Sequence, residues 1–379
     1  MNIRLGAPSI EQDDIDAIAQ VLRTGFLVQG KQVAEFETAL LGYTGTAHAV
    51  CMTNCTAALQ LALLAKDVRP GDIVLVPAYS WLSTANVVEL CGAQPVFVDI
   101  DARTFNMAPE ALDATLTRLF ATAETRGRVR GILPVHTFGQ TADMQSLSAL
   151  AKARGLFVIE DAACALGAKH HGKFAGQLGD LGCFSFHPRK AITTGEGGFV
   201  STDNVEAANH MRSLRNHGLD PTAPSPDFIR PGFNVRMTEF QAAFGKTQLQ
   251  KFPRILASRK VQAERYQTLL AGTGIAPPFV APGNEHVFQS YVTLVPPKVR
   301  ERRDAIIKQV REAGVEVTIG TWHMPLTTYF RTRYGYKAGD FPVADDVFAR
   351  AMSLPMHEQV TEADQAQVAK VVSAAVAAA

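Results

Sequence analysis

Between residues 73 and 159 the chain repeats one pattern: a short, wholly apolar run, then a longer stretch of mixed polarity with helical spacing. The runs fall at 73–76, 95–99, 131–135 and 156–159. A strand covered on both faces needs no polar side, so unbroken apolar runs separated by helices predict a mainly parallel sheet. Upstream, Ile15, Ile18, Val21 and Leu22 share one helical face behind Ser9 as the expected cap, and a second helix is predicted from Lys31 to about Tyr43. Residues 57–64 form a further helix opening at the turn Asn54-Cys55-Thr56.

Past residue 250 the rhythm changes. Phe252-Pro253 is expected to interrupt a long helical stretch, while Pro277-Pro278 and Pro282-Gly283 mark loops. Strands are predicted at 286–295 and 315–318, a helix at 304–313, and a last helix opening at Thr361 with Asp364 as capping partner. The alanine-rich residues 371–379 are expected to end an exposed helix. The expected class is α/β, with a large domain over residues 1–250 and a smaller α/β domain over 251–379.

Composition narrows the function. The 379 residues are 47% hydrophobic, enough for two or three cored domains. With 37 basic and 36 acidic residues the net charge is +1, which gives no footprint for nucleic acid or an anionic membrane. No uncharged apolar run reaches the ~20 residues of a membrane helix, and the opening residues lack the apolar core of a secretory signal. Five cysteines match neither a disulfide framework nor a zinc pattern, and the adjacent His170 and His171 point apart, so no metal is expected. A cytoplasmic enzyme acting on small molecules is the expectation.

The polar residues at the predicted strand ends carry candidate chemistry, because ligands of open α/β sheets bind at the carboxyl ends of strands. Lys190 lies between the aromatic run Phe184-Ser185-Phe186 and the turn Thr194-Gly195. A Schiff-base lysine needs such a rigid, partly desolvated place, since its amine must lose a proton to attack a carbonyl. A surface lysine beside a glycine-rich turn is the ordinary alternative. Asp161 closes the run 156–159; it could hold the pyridine nitrogen of pyridoxal phosphate protonated, or simply cap a helix. Cys55 and Thr56, at a helix start, offer backbone N–H groups and a hydroxyl to an anion. Trp81, one of two tryptophans, could stack on a flat ring or pack as tryptophans usually do.

These blocks, in this order, resemble the DegT/DnrJ/EryC1/StrS aminotransferase family, sugar aminotransferases of the fold-type-I pyridoxal-phosphate enzymes. The resemblance covers almost the whole chain. It includes Gly25-Phe26-Leu27-Val28-Gln29-Gly30, Asn54-Cys55-Thr56-Ala57, His136-Thr137-Phe138-Gly139-Gln140, Glu160-Asp161-Ala162-Ala163, the Lys190 block and Gly232-Phe233-Asn234-Val235-Arg236-Met237-Thr238-Glu239. It implies a mostly parallel seven-stranded sheet, Lys190 as Schiff-base lysine and proton shuttle, and Asp161 against the pyridinium. It also implies Trp81 stacked on the ring, with Cys55, Thr56 and Ser185 at the phosphate. Asn234 would reach the phosphate from a neighbouring subunit, making a homodimer with shared sites, and Arg236 would bind the donor's carboxylate.

Two departures stand out. Cys164 occupies the position where the family usually places glutamine or histidine against the cofactor's 3-oxygen. The substrate segment reads Trp322-His323-Met324-Pro325-Leu326-Thr327, with Thr327 where the family has histidine; His323 is the candidate substrate contact within it. The implied reaction is ping-pong transamination from L-glutamate or L-glutamine, through pyridoxamine phosphate, to a keto-sugar, expected to be nucleotide-linked. The rivals are a cyclitol or other secondary-metabolite ketone as acceptor, a pyridoxamine-dependent dehydratase, and a non-catalytic regulator. Lys190 argues against the dehydratase, whose lysine the resemblance implies is replaced by histidine. No Gly-x-Gly-x-x-Gly turn supports a nicotinamide enzyme.

Overall fold

The apolar runs assemble into the central layer. In the computed structural model, which describes residues 3–379, seven strands form one sheet: β1 (His48–Met52), β2 (Ile73–Pro77), β3 (Gln94–Val98), β4 (Val129–Ile132), β5 (Phe157–Asp161), β6 (Leu181–Ser185) and β7 (Gly198–Thr202). Their order is β1-β7-β6-β5-β4-β2-β3. Only β7 runs against its neighbours; from β6 through β3 every pair is parallel. The four predicted runs are β2 to β5, with ends shifted by a few residues. Strand β1 and strand β7, which begins at Gly198, carried no such run.

Alternating side chains feed two different cores. Val50 and Met52 of β1 pack with helix α3 (Cys55–Ala65), whereas Ala49 and Cys51 face Phe36, Phe184 and Phe199 on the other side. Helix α3 is buried at Ala58, Leu59, Leu61, Ala62 and Leu63, which explains why it is apolar all round.

Helix α1 spans Gln12–Thr24 and α2 spans Lys31–Leu40. Ser9 does not cap α1: Glu11 does, in a capping box with Asp14. Asp14 is fully buried and pairs with Lys251 Nζ at 2.6 Å, so tertiary packing fixes where the helix begins. The N-cap of α2 is Gly30, which has no side chain to offer, and Glu239 supplies the acceptors from afar. Its carboxylate takes the N–H of Gly30 (2.7 Å), Gln32 (2.8 Å) and Val33 (3.1 Å).

The long helix Glu239–Leu269 is not interrupted at Pro253. An internal proline costs roughly 3 kcal/mol through a lost hydrogen bond and a ring clash, and burial of Phe252, Ile255, Ala263 and Tyr266 along this helix offsets it. The expected division at 250/251 falls inside the helix, which carries the chain from the large sheet to a smaller layer. That layer is a three-stranded sheet of Tyr291–Leu294, Ala351–Leu354 and Thr318–Ile319, packed on the helices Arg303–Glu312 and Glu362–Ala377. Thr361 and Asp364 form the predicted capping box. The strand expected at 286–295 shrinks to Tyr291–Leu294, and that expected at 315–318 to Thr318–Ile319. The tail is exposed on one face only: Ala374, Ala377 and Ala378 are exposed, while Val372, Ala375 and Val376 are buried against the neighbouring helix.

Candidate active site

The carboxyl end of β5 presents two adjacent carboxylates that alternation sends to opposite sides. Glu160 is fully buried and accepts from the N–H of Gly176 (2.8 Å), Leu178 (2.8 Å) and Gly179 (2.6 Å). It also meets His136 Nε2 at 2.7 Å. His136 Nδ1 accepts from Ala142 N–H at 3.2 Å, so the ring proton sits on Nε2 and donates to Glu160. Glu160 is therefore saturated and holds a loop.

Asp161 is less completely matched. Thr84, in helix α4 (Ser83–Leu90), donates its hydroxyl to Oδ2 at 2.7 Å, and the Ala163 N–H donates to Oδ1 at 3.2 Å. Burial pushes the Asp161 carboxyl above the usual range, against the opposing effects of Thr84, Ala163, Lys190 and His136. A buried carboxylate in this state favours a cationic partner.

Lys190 lies in the turn after β6, its N–H bonded to His187 O at 2.8 Å. Its side chain turns back toward β5, placing Nζ 3.1 Å from Cys164 Sγ. Burial pulls the ammonium pKa down, while Cys164, Cys55 and Asp161 lift it, and the net direction is upward. Burial also pushes the Cys55 thiol far up.

The start of α3 is the candidate anion cradle. Asn54 caps the helix through Ala57 N–H at 2.8 Å. The N–H groups of Cys55 and Thr56 meet no acceptor among the described residues. Thr56 and Ser83 hydroxyls lie 3.0 Å apart. Facing them is Gly198, whose strand register is Met52 on one side and Ser185 on the other. A Cβ there would lie 2.5 Å from Cys55 N and 2.7 Å from Phe184 O, so only glycine leaves the space open. Free amides at a helix start, hydroxyls and a vacated Cβ position fit a phosphate. A buried acid and a lysine on neighbouring strand ends fit the ring and aldehyde of the same cofactor.

Other expected residues are placed unequally. Trp81 follows the two-residue strand Tyr79–Ser80 and is 61% exposed. Asn234 is exposed and bridges Asn216. Arg236 bridges Met52 at the end of β1, beside the start of α3 in its own chain, and bonds Asn216 Oδ1. His323 is not brought to the group: it is 2% exposed, packed edge-on to Phe341 and Phe348, with Nε2 3.0 Å from Asp345 Oδ1. Burial lowers its pKa, against Asp345.

Its neighbour Trp322 is the better placed of the two. It pairs with Ser80, whose hydroxyl lies 3.1 Å from that of Thr84, and it is 41% exposed. Trp322, Thr84, Ser83 and Gly198 were missed as site residues. Hydroxyls within a helix and a glycine in a strand carry no periodic signal; the glycine-rich stretch 195–198 was the one clue.

A mostly parallel seven-stranded sheet with this lysine, acid and anion cradle at its strand ends defines the class: a pyridoxal-phosphate-dependent aminotransferase of fold type I. The sequence profile of the DegT/DnrJ/EryC1/StrS aminotransferase family matches residues 8–373, and the chain belongs to that family. Over 369 residues it is 37% identical to the GDP-perosamine synthase of Caulobacter vibrioides, covering 96% of this chain and 95% of that one. It is 34% identical over 348 residues to the UDP-2-acetamido-2-deoxy-3-oxo-D-glucuronate aminotransferase of Pseudomonas aeruginosa, covering 91% of each. Among solved structures, the putative sugar aminotransferase Spr1654 of Streptococcus pneumoniae in its PMP form superposes with a TM-score of 0.93 at 28% identity, covering 100% of this chain and 98% of that one. The same protein has also been solved in a PLP form. No helix among the described residues is long and apolar enough to cross a membrane.

Proposed function

We propose that this chain moves an amino group from L-glutamate or L-glutamine to a nucleotide-linked keto-sugar, with Lys190 as the reacting lysine. The observation that carries the reading is the convergence of Lys190, Asp161 and the open start of α3 on adjoining strand ends. Bound pyridoxal phosphate supplies an electron sink that lets an amino group be taken from one substrate and given to another. Lys190 Nζ is the atom that would attach it and, once free, move a proton at the reacting carbon. Asp161 would keep the ring nitrogen protonated. Cys55, Thr56 and Ser185 would hold the phosphate, Trp81 would cover the ring, and Cys164 would stand near the lysine end. Arg236 is the proposed partner for the donor's carboxylate.

A nucleotide-sugar acceptor is supported by the two relatives named above and by the exposed Trp322. The homodimer is supported by exposed apolar side chains: Phe26, Leu27 and Val28 in one segment, and Phe228, Ile229 and Phe233 in another. Exposed apolar groups of this size suit a contact surface, and Phe233 adjoins Asn234 in the sequence.

A second reading keeps the chemistry and changes the acceptor to a cyclitol or related ketone. The Thr327 hydroxyl, where the family's histidine is expected, donates its hydrogen to Met324 O at 2.7 Å within its own turn and has none left to donate to a sugar.

The test is spectroscopic. Purified protein loaded with pyridoxal phosphate should absorb in the visible, lose that band with L-glutamate, and regain it with the acceptor. Lys190→Ala should retain the fold and form no borohydride-fixed adduct. A wild-type protein that binds no cofactor would sink the reading and leave the regulator in its place. A panel of nucleotide keto-sugars against keto-cyclitols separates the two acceptors.

A further inference from the structure

The lysine turn is gripped from outside the large sheet. Gln289 is 7% exposed and lies in the irregular segment just before the strand Tyr291–Leu294. Its side-chain amide brackets Lys190: Oε1 accepts from the Ala191 N–H at 2.8 Å, and Nε2 donates to Arg189 O at 2.5 Å. One planar group thus bonds the peptides on both sides of a single residue. Gln289 is itself held. Arg259, buried on the long helix, donates Nη1 to the carbonyls of Phe288 and Gln289, both at 2.9 Å. Phe288 has φ +47°, a conformation side chains rarely adopt, so this peptide is held where it would not rest alone. On its other side, Val287 N–H donates to Gly139 O and Ser290 N–H to Phe138 O. A Cβ on Gly139 would come within 2.8 Å of Gln289 N, so that approach requires glycine.

A buried guanidinium bonded only to carbonyls among the described residues is an expensive device, and it is spent on two consecutive peptides. The amide beyond them spans the lysine, and among the described residues its hydrogen bonds go only to Ala191 and Arg189. We infer that Gln289, fixed by Arg259, is the positioning residue that sets the angle at which Lys190 enters the site. The inference rests on Lys190 being the reacting lysine. Gln289 acts through the backbone of Arg189 and Ala191, to which its amide is bonded. It also ties the smaller layer to the lysine, so a shift of that layer on substrate binding would reach Nζ.

The test compares wild type with Gln289→Met, which preserves volume and deletes both bonds, and with Gln289→Ala. Amide hydrogen exchange of the apo proteins is read by mass spectrometry on peptides covering 187–192 and, as a control, β7. Both variants should exchange at least about tenfold faster at 187–192, the equivalent of one to two lost hydrogen bonds, with β7 unchanged. The pH midpoint of the visible band formed with pyridoxal phosphate should also shift in both. A Gln289→Met protein with wild-type exchange and midpoint would overturn the inference, leaving Gln289 a packing residue. If wild type forms no band, the lysine assignment fails while the exchange result still decides whether the grip exists.

Discussion

Thr84 gives its hydroxyl hydrogen to Asp161 Oδ2 at 2.7 Å across 77 residues of sequence, and behind it the Ser80 hydroxyl stands 3.1 Å from Thr84. This short hydroxyl chain orients the one buried acid of the site that is not saturated by backbone amides. It leaves the carboxylate able to take a cation, whereas Glu160 next door has no capacity left.

Burial raises the folded pKa of Asp161 above its ordinary 3.8. A group raised in this way contributes stability below its unfolded pKa, and that contribution is lost as pH rises through the folded value. The ionised acid therefore strains the apo protein at neutral pH. Apo Asp161→Asn should melt higher than apo wild type at pH 7.5, by about 2 °C, the shift of a modest effect in a large domain. Thr84 can turn its hydroxyl to accept from the new amide. The difference should vanish near pH 4, and transamination should be lost. Equal melting at both pH values would contradict the argument.

Cys164 opposes the effect of burial on Lys190. In Cys164→Ala the ammonium loses that support and its pKa falls, so more of the amine is neutral near pH 7.5. Covalent attachment of pyridoxal phosphate to the apo protein should be faster there, and the pH profile of its rate should move to lower pH. Stopped-flow absorbance across pH 6 to 9 checks it; a profile displaced upward would reverse the assigned sign.

Gly198→Ala places a methyl group in the cradle, 2.5 Å from Cys55 N. Affinity for pyridoxal phosphate should fall by at least about tenfold, some 1.4 kcal/mol, while affinity for pyridoxal, which lacks the phosphate, changes little. Fluorescence titration of both compounds is the measurement. A parallel loss for the two would mean general misfolding rather than a phosphate site.

Glu239→Ala should uncap α2, leaving the N–H groups of Gly30, Gln32 and Val33 without their acceptor. Loss of such a cap costs about 2 kcal/mol, which a shift of the urea midpoint at unchanged slope would report. A midpoint within error of wild type would show that water replaces the carboxylate.

Strands buried on both faces announce themselves, since they need apolar residues without interruption; β2 to β5 were legible for that reason. Lys190, Asp161 and the α3 turn stood out as candidates, because each belongs to a local block whose residue types suit one chemistry. Pro253 misled, because a local rule about proline does not weigh the buried side chains around it. Ser9 lost the α1 cap to Glu11 because Asp14 is tied to Lys251, 237 residues away.

By itself, then, the sequence determined the periodicities, the α/β class and the local turns that carry lysine, acid and anion site, since these depend on neighbours within a few residues. Tertiary structure alone decided that Thr84 serves Asp161, that Cys164 meets Lys190, that Gln289 brackets the lysine and that His323 is buried while Trp322 faces out. Each of those depends on which strand end lies beside which, and side-chain contacts of that range leave no periodic trace along the chain.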